Sequence, residues 1–116
     1  MKTNWKTIDI KKLALMVSAE LKKNKIDAVL VGGACVSIYS RNKYLSMDLD
    51  YVSNAALKEL EPIMEKLGFH QKSGRHFERR GCRFFIEFPP PPVAIGKEVP
   101  IKKFNKIKTL ILLTPT

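Results

Sequence analysis

The sequence predicts a mixed α+β domain built around one sheet, and three observations predict it. Apolar residues recur at helical spacing between Ile10 and Leu21. Two short apolar runs, "IDAVLV" at 26–31 and "SMDLDYV" at 46–52, flank a glycine pair. From residue 69 onward, strand-like runs alternate with turn signals such as "SGR" and "RRG". A chain of 116 residues holds one domain with a single core and is too short for two ordinary ones.

Each element has a local cause. Asp9 is placed to cap a helix running from about Ile10 to Lys23. Ile10, Leu13, Val17 and Leu21 form its apolar face, and Lys22, Lys23 and Lys25 suit the negative end of its dipole. "IDAVLV" is short, rich in β-branched residues and nearly continuous, the pattern of a buried strand. Gly32 and Gly33 break it, and "ACVSIYSR" predicts a short helix starting at the second glycine. "SMDLDYV" predicts the next strand, with Met47, Leu49 and Tyr51 on one face and Ser46, Asp48 and Asp50 on the other.

Ser53 or Asn54 is expected to cap another helix, with Leu57, Leu60, Ile63 or Met64, and Leu67 on one face. Pro62 should kink or split this helix, and Gly68 should end it. "FHQKSGRHFERRGCRFFIEFP" predicts strand, turn and strand, with "CRFFIEF" stopped by the prolines at 89–92. Residues 93–108 are mixed and basic and yield no clear element, whereas "IKTLILL" predicts a last strand.

Composition narrows the function classes. The formal net charge is +10, and it is uneven. Residues 1–70 hold eleven Lys and Arg against eight Asp and Glu, and residues 71–116 hold ten against three. Such an excess suits a polyanionic partner, whether nucleotide, nucleic acid or an acidic protein, and equally serves solubility. No apolar run approaches the length of a membrane span, and the start lacks the apolar core of a secretion signal. The expectation is a soluble cytoplasmic protein with no membrane partner. Cys35 and Cys82 lie outside any ligand-spaced cluster and are expected to be reduced thiols. Together with His70 and His76 they do not make a structural zinc site, and both histidines are expected at the surface.

Asp48 and Asp50 carry the chemistry. On one face of a strand they lie roughly 7 Å apart. Carboxylates so close repel one another unless a cation sits between them, and Mg²⁺ prefers carboxylate, water and phosphate oxygens. The glycine pair complements them. Bare backbone amides at a helix N-terminus favour a phosphate. A glycine pair or an Asp-x-Asp alone is a weak signal. Apolar strand, Gly-Gly, short helix and Asp-x-Asp in a second apolar strand, taken together, are more specific.

That combination, "VLVGG" followed by "SMDLDYV", resembles the signature of the nucleotidyltransferase superfamily with its polymerase-beta-like fold. Ser46 stands where that family often has Ser or Thr. "LGF", "IEFPPPPVAIG" and "LLTPT" look like its small bacterial branch associated with toxin–antitoxin systems. The resemblance covers about residues 26–116. The spacer at 34–47 is on the long side for the family, and family members usually continue into a helical segment after "LTPT". The chain is therefore expected to be a single minimal domain, 1–116, lacking that helical part.

The resemblance implies a sheet of about four to six strands with helices packed on one side. It implies Mg²⁺, one or two ions, held by Asp48 and Asp50. A third acid completes the metal site or acts as base, with Glu87 favoured and Glu78 the competitor. Gly32 and Gly33 would bind the phosphates of an NTP. Ser37 would either add a hydroxyl contact or simply face the helix surface, and Arg41 and Lys43 would either neutralise phosphate or form a solvated helix end. The implied reaction moves a nucleoside monophosphate to a hydroxyl of RNA, protein or a small molecule. The alternative is a catalytically weak or inactive, antitoxin-like basic module that binds RNA or a toxin-like protein partner.

Overall fold

The computed structural model describes residues 3–39, 47–89, 104–107 and 110–113. In chain order the elements are α1 (Ile10–Lys23), β1 (Ala28–Val31), α2 (Gly32–Tyr39), β2 (Asp48–Ser53) and α3 (Leu57–Lys66). Then follow β3 (His70–Ser73), β4 (His76–Glu78), β5 (Phe85–Glu87), β6 (Phe104–Ile107) and β7 (Leu110–Leu113). This is the expected α+β class.

The strands form one seven-stranded sheet in the order β3-β4-β5-β2-β1-β7-β6. Its strand number exceeds the expected four to six, because the stretch read as strand, turn and strand forms three strands, β3, β4 and β5, and residues 93–108, which yielded no element by pattern, contribute β6. β2 occupies the middle, antiparallel to β1 and parallel to β5. β4 runs antiparallel to β5, and β7 pairs parallel with β1.

Alternation divides the sheet into two faces. Leu30, Leu49, Tyr51, Phe77 and Ile86 point into the core with no exposed surface. They form one cluster with Ile10, Leu13, Ala14, Val17 and Leu21 of α1 and Leu60, Ile63 and Met64 of α3. The helices therefore cover this face. The Tyr51 hydroxyl ties the layers together: it donates to the Ala14 carbonyl at 3.0 Å and shares a hydrogen bond with Ser18 Oγ at 3.1 Å. Burial pushes the pKa of this phenol well above its ordinary value.

α1 has the expected bounds, and the Asp9 carboxylate accepts from the Lys12 N–H at 3.0 Å. α3 departs from expectation in two ways. Its N-cap is Ala56 rather than Ser53 or Asn54, with the Ala56 N–H donating to the Glu59 carboxylate at 2.8 Å. Ser53 instead accepts from the Ala55 N–H at 3.2 Å. Of the kink or split expected at Pro62, the split does not occur, and the helix runs through the proline as one element. The proline faces solvent, where water can satisfy the carbonyl that its missing N–H leaves unpaired. α2 begins at Gly32, one residue before the expected start. Among the described residues no helix is long and apolar enough to cross a membrane.

Gly68 follows α3 at φ +83°. A Cβ there would lie 1.5 Å from Arg79 Nη1. That nitrogen donates to the Leu67 carbonyl at 3.0 Å, and the guanidinium sits 4.2 Å from the Trp5 ring centre. Gly68→Ala is expected to lower the unfolding free energy by about 1–2 kcal/mol from backbone strain alone. Displacement of Arg79 should add to that loss. Urea denaturation measures it, and an unchanged midpoint would refute the account.

Candidate active site

The second face of the sheet carries the acids. Because Leu49 and Tyr51 are buried, Asp48 and Asp50 project from the opposite side of β2, Asp48 exposed and Asp50 half-buried. The parallel register with β5 sets Asp50 opposite Glu87 and Asp48 opposite Phe85. The antiparallel register with β1 sets Asp50 opposite Val31, the residue before the glycine pair. Strand pairing thus brings the end of β1, the first acidic strand and the later acid to one place.

Gly32 sits closest to the acids. A Cβ at this position would lie 3.0 Å from Asp50 Oδ2, and the residue has φ +73°. Glycine is required twice over, by the left-handed backbone and by the carboxylate packed against it. The N-terminus of α2, with its positive end of the helix dipole, therefore begins beside the Asp50 carboxylate.

Electrostatics agree with this crowding. Burial holds the Asp50 carboxyl above the usual carboxylate range, and repulsion from Glu87 and then Asp48 raises it further. His76 acts in the opposite direction.

His76 stands on β4 opposite Glu87 in register. Its Nδ1 lies 3.3 Å from Glu87 Oε1 and its Nε2 lies 3.0 Å from Glu78 Oε2. Its ring packs against Phe85 with centroids 5.3 Å apart. Burial alone would lower the imidazole pKa. The hydrogen bonds and charges of Glu87 and Glu78 outweigh it, so the net displacement is upward.

His70 is exposed as expected and pairs with Glu65. His76, expected at the surface on the strength of its basic neighbourhood, is instead part of the acidic face, and so is Glu78. A period-two reading of "HFE" was the available signal: a buried Phe77 puts His76 and Glu78 together on the other side.

Among the other candidates, Gly33 is the second residue of α2 and partly exposed, whereas Ser37 is buried further along the same helix. Arg41, Lys43 and Ser46 lie outside the described residues, as do the side chain of Cys35, most of the proline run and Thr114. Cys82 is a half-buried free thiol.

Asp48, Asp50 and Glu87 offer hard oxygen donors on one face, the chemistry that suits Mg²⁺. Among the described residues no three Asp, Glu, His or Cys side chains close into a metal-holding group. Mg²⁺ needs only one or two protein carboxylates when water and phosphate complete its shell, so the donor set fits. A cleft of about 260 Å³ lined by Lys23, Asn24, Ile26, Glu59, Pro62, Ile63 and Lys66 lies between α1 and α3, away from these acids.

No family model and no curated protein matches the chain. A solved structure does: that of the antibiotic-resistance factor ANT(2'')-Ia, an aminoglycoside nucleotidyltransferase, in a study of its substrate-regulated conformational dynamics. The TM-score is 0.55 at 19% sequence identity, over 72% of this chain and 48% of that one. The chain thus spans about half the length of the protein it resembles, and what the likeness shows is the fold: the chain has a nucleotidyltransferase-like fold.

Proposed function

We propose that this chain is a Mg²⁺-dependent nucleotidyltransferase that moves a nucleoside monophosphate from an NTP to a hydroxyl acceptor. The observation that carries this reading is the packing of Gly32 against Asp50, with Glu87 in register beside it. Asp48 and Asp50 would hold Mg²⁺, which when bound neutralises triphosphate charge and orients the leaving pyrophosphate. The Gly32 and Gly33 amides donate to phosphate oxygens at the positive end of α2. Glu87 either completes the ligand set or takes the proton of the acceptor hydroxyl as that oxygen attacks the α-phosphorus and the bond to pyrophosphate breaks. Asp50 supports the assignment. Its carboxyl is held in a setting that disfavours its charge, and a bound cation would relieve that conflict.

The resemblance to a toxin–antitoxin-associated branch leaves the acceptor among RNA, a protein side chain and a small molecule. RNA held without Mg²⁺, as a basic binding module would hold it, is disfavoured on this face, because Asp48, Asp50, Glu78 and Glu87 all lie there and would repel an uncompensated polyanion.

Ligand linkage tests the reading. An NTP at a hundred times its Kd should stabilise the folded chain by about 2.7 kcal/mol in the presence of Mg²⁺. Thermal melts should show the shift, and Asp48→Asn should remove it. If no NTP with Mg²⁺ moves the melt while RNA binds and its affinity survives Asp48→Asn, the transferase reading fails and the basic binding module replaces it.

A further inference from the structure

We infer that His76 is a positioning residue that holds the Glu87 carboxylate beside Asp50. The inference rests on the transferase reading above and deepens it.

The geometry is that of a bridge. Nδ1 faces Glu87 Oε1 at 3.3 Å and Nε2 faces Glu78 Oε2 at 3.0 Å. Carboxylates accept hydrogen bonds, so each ring nitrogen is placed to donate to one glutamate, and the ring spans the two acids. The ring cannot easily rotate away, because Phe85 of β5 packs against it and only a quarter of the side chain is exposed.

Glu87 needs such a restraint. Its side chain is 43% exposed and its neighbour in register is another acid, so repulsion favours rotamers that turn it into solvent. The histidine engages Oε1, and among the described residues Oε2 makes no hydrogen bond. One oxygen is thereby fixed while the other remains available to a ligand. Partners that orient a ligating group in this way typically matter 10–100-fold to metal affinity or activity, roughly, when removed.

The test uses Mn²⁺ as a spectroscopic stand-in for Mg²⁺, with binding read by the enhancement of water-proton relaxation when protein is added to preformed Mn²⁺·NTP, because NTP alone already removes the free-ion resonance signal. His76→Phe should weaken Mn²⁺ binding by about tenfold to a hundredfold. Glu87→Gln should weaken it comparably, and the double variant should bind no worse than Glu87→Gln alone. That non-additivity is the signature of action through Glu87, since a merely structural histidine would give independent losses. His76→Gln, which can donate to one carboxylate without carrying charge, should fall between wild type and His76→Phe. It also serves as the readout if the phenylalanine variant fails to fold. Full affinity in both His76 variants, or additive losses in the double variant, would overturn the positioning role alone. Absence of Mn²⁺ binding by the unmutated protein would overturn the transferase reading and the positioning role with it.

Discussion

Asp50→Asn is expected to raise the melting temperature of the protein without divalent cation, and to abolish its response to Mg²⁺ and NTP. The carboxyl is half-buried and flanked by Glu87 and Asp48, so its folded pKa lies above its unfolded value. A carboxyl displaced upward favours the native state when protonated. That contribution is fully present below the unfolded pKa and is lost as pH rises through the raised folded pKa. At neutral pH the charged form therefore opposes folding, and the amide removes the opposition. The gain should be about 0.5–1 kcal/mol, kept small by solvent screening of a side chain that is only partly buried. It should shrink as the pH falls into the range where Asp50 is itself protonated. Transfer activity should fall at least about a thousandfold, equivalent to roughly 4 kcal/mol of lost transition-state stabilisation. Scanning calorimetry at pH 7 and pH 4, paired with a pyrophosphate-release assay, separates the two effects. A lower melting temperature for the variant at pH 7 would show that Asp50 serves the fold rather than a ligand.

Gly32→Ala should do damage out of proportion to one methyl group. Its φ of +73° is a conformation that costs an L-residue about 1–2 kcal/mol. Its Cβ would also stand 3.0 Å from Asp50 Oδ2, so the carboxylate must shift. Gly74 provides the control. It too has positive φ, at +51°, yet a Cβ there meets nothing within 4 Å. Both alanine variants should lose stability in chemical denaturation, whereas Gly32→Ala alone should lose the Mg²⁺·NTP-dependent thermal shift. If Gly74→Ala loses the nucleotide response equally, the close approach at Gly32 has no special role.

How much of this was legible in the sequence depended on distance along the chain. α1 could be read to its end residues, because the Asp9 cap and the apolar spacing are both local. The face carrying Asp48 and Asp50 was equally legible, since alternation with Leu49 and Tyr51 settles it. The helix through Pro62 was harder. Whether a proline breaks a helix depends on where the unpaired carbonyl points, and tertiary packing decides that. The nomination of Glu87 came from resemblance rather than from pattern. Its register with Asp50 arises from a parallel pairing of strands more than thirty residues apart, with α3, β3 and β4 between them, and no local signal encodes it. The bridge at His76 was invisible for the same reason: β4 had to be registered against β5 before two glutamates could meet one imidazole.

Tyr51 and Asp50 are adjacent on β2 and face opposite sides of the sheet. On the hidden side the phenol is anchored to the backbone of α1 and to Ser18. The location of the carboxylate is thereby inherited from a helix that never meets it. Substitutions at Ser18 or around Ala14 would reach Asp50 by slackening the strand, so variation deep in the interior can move this carboxylate while every acidic group stays intact.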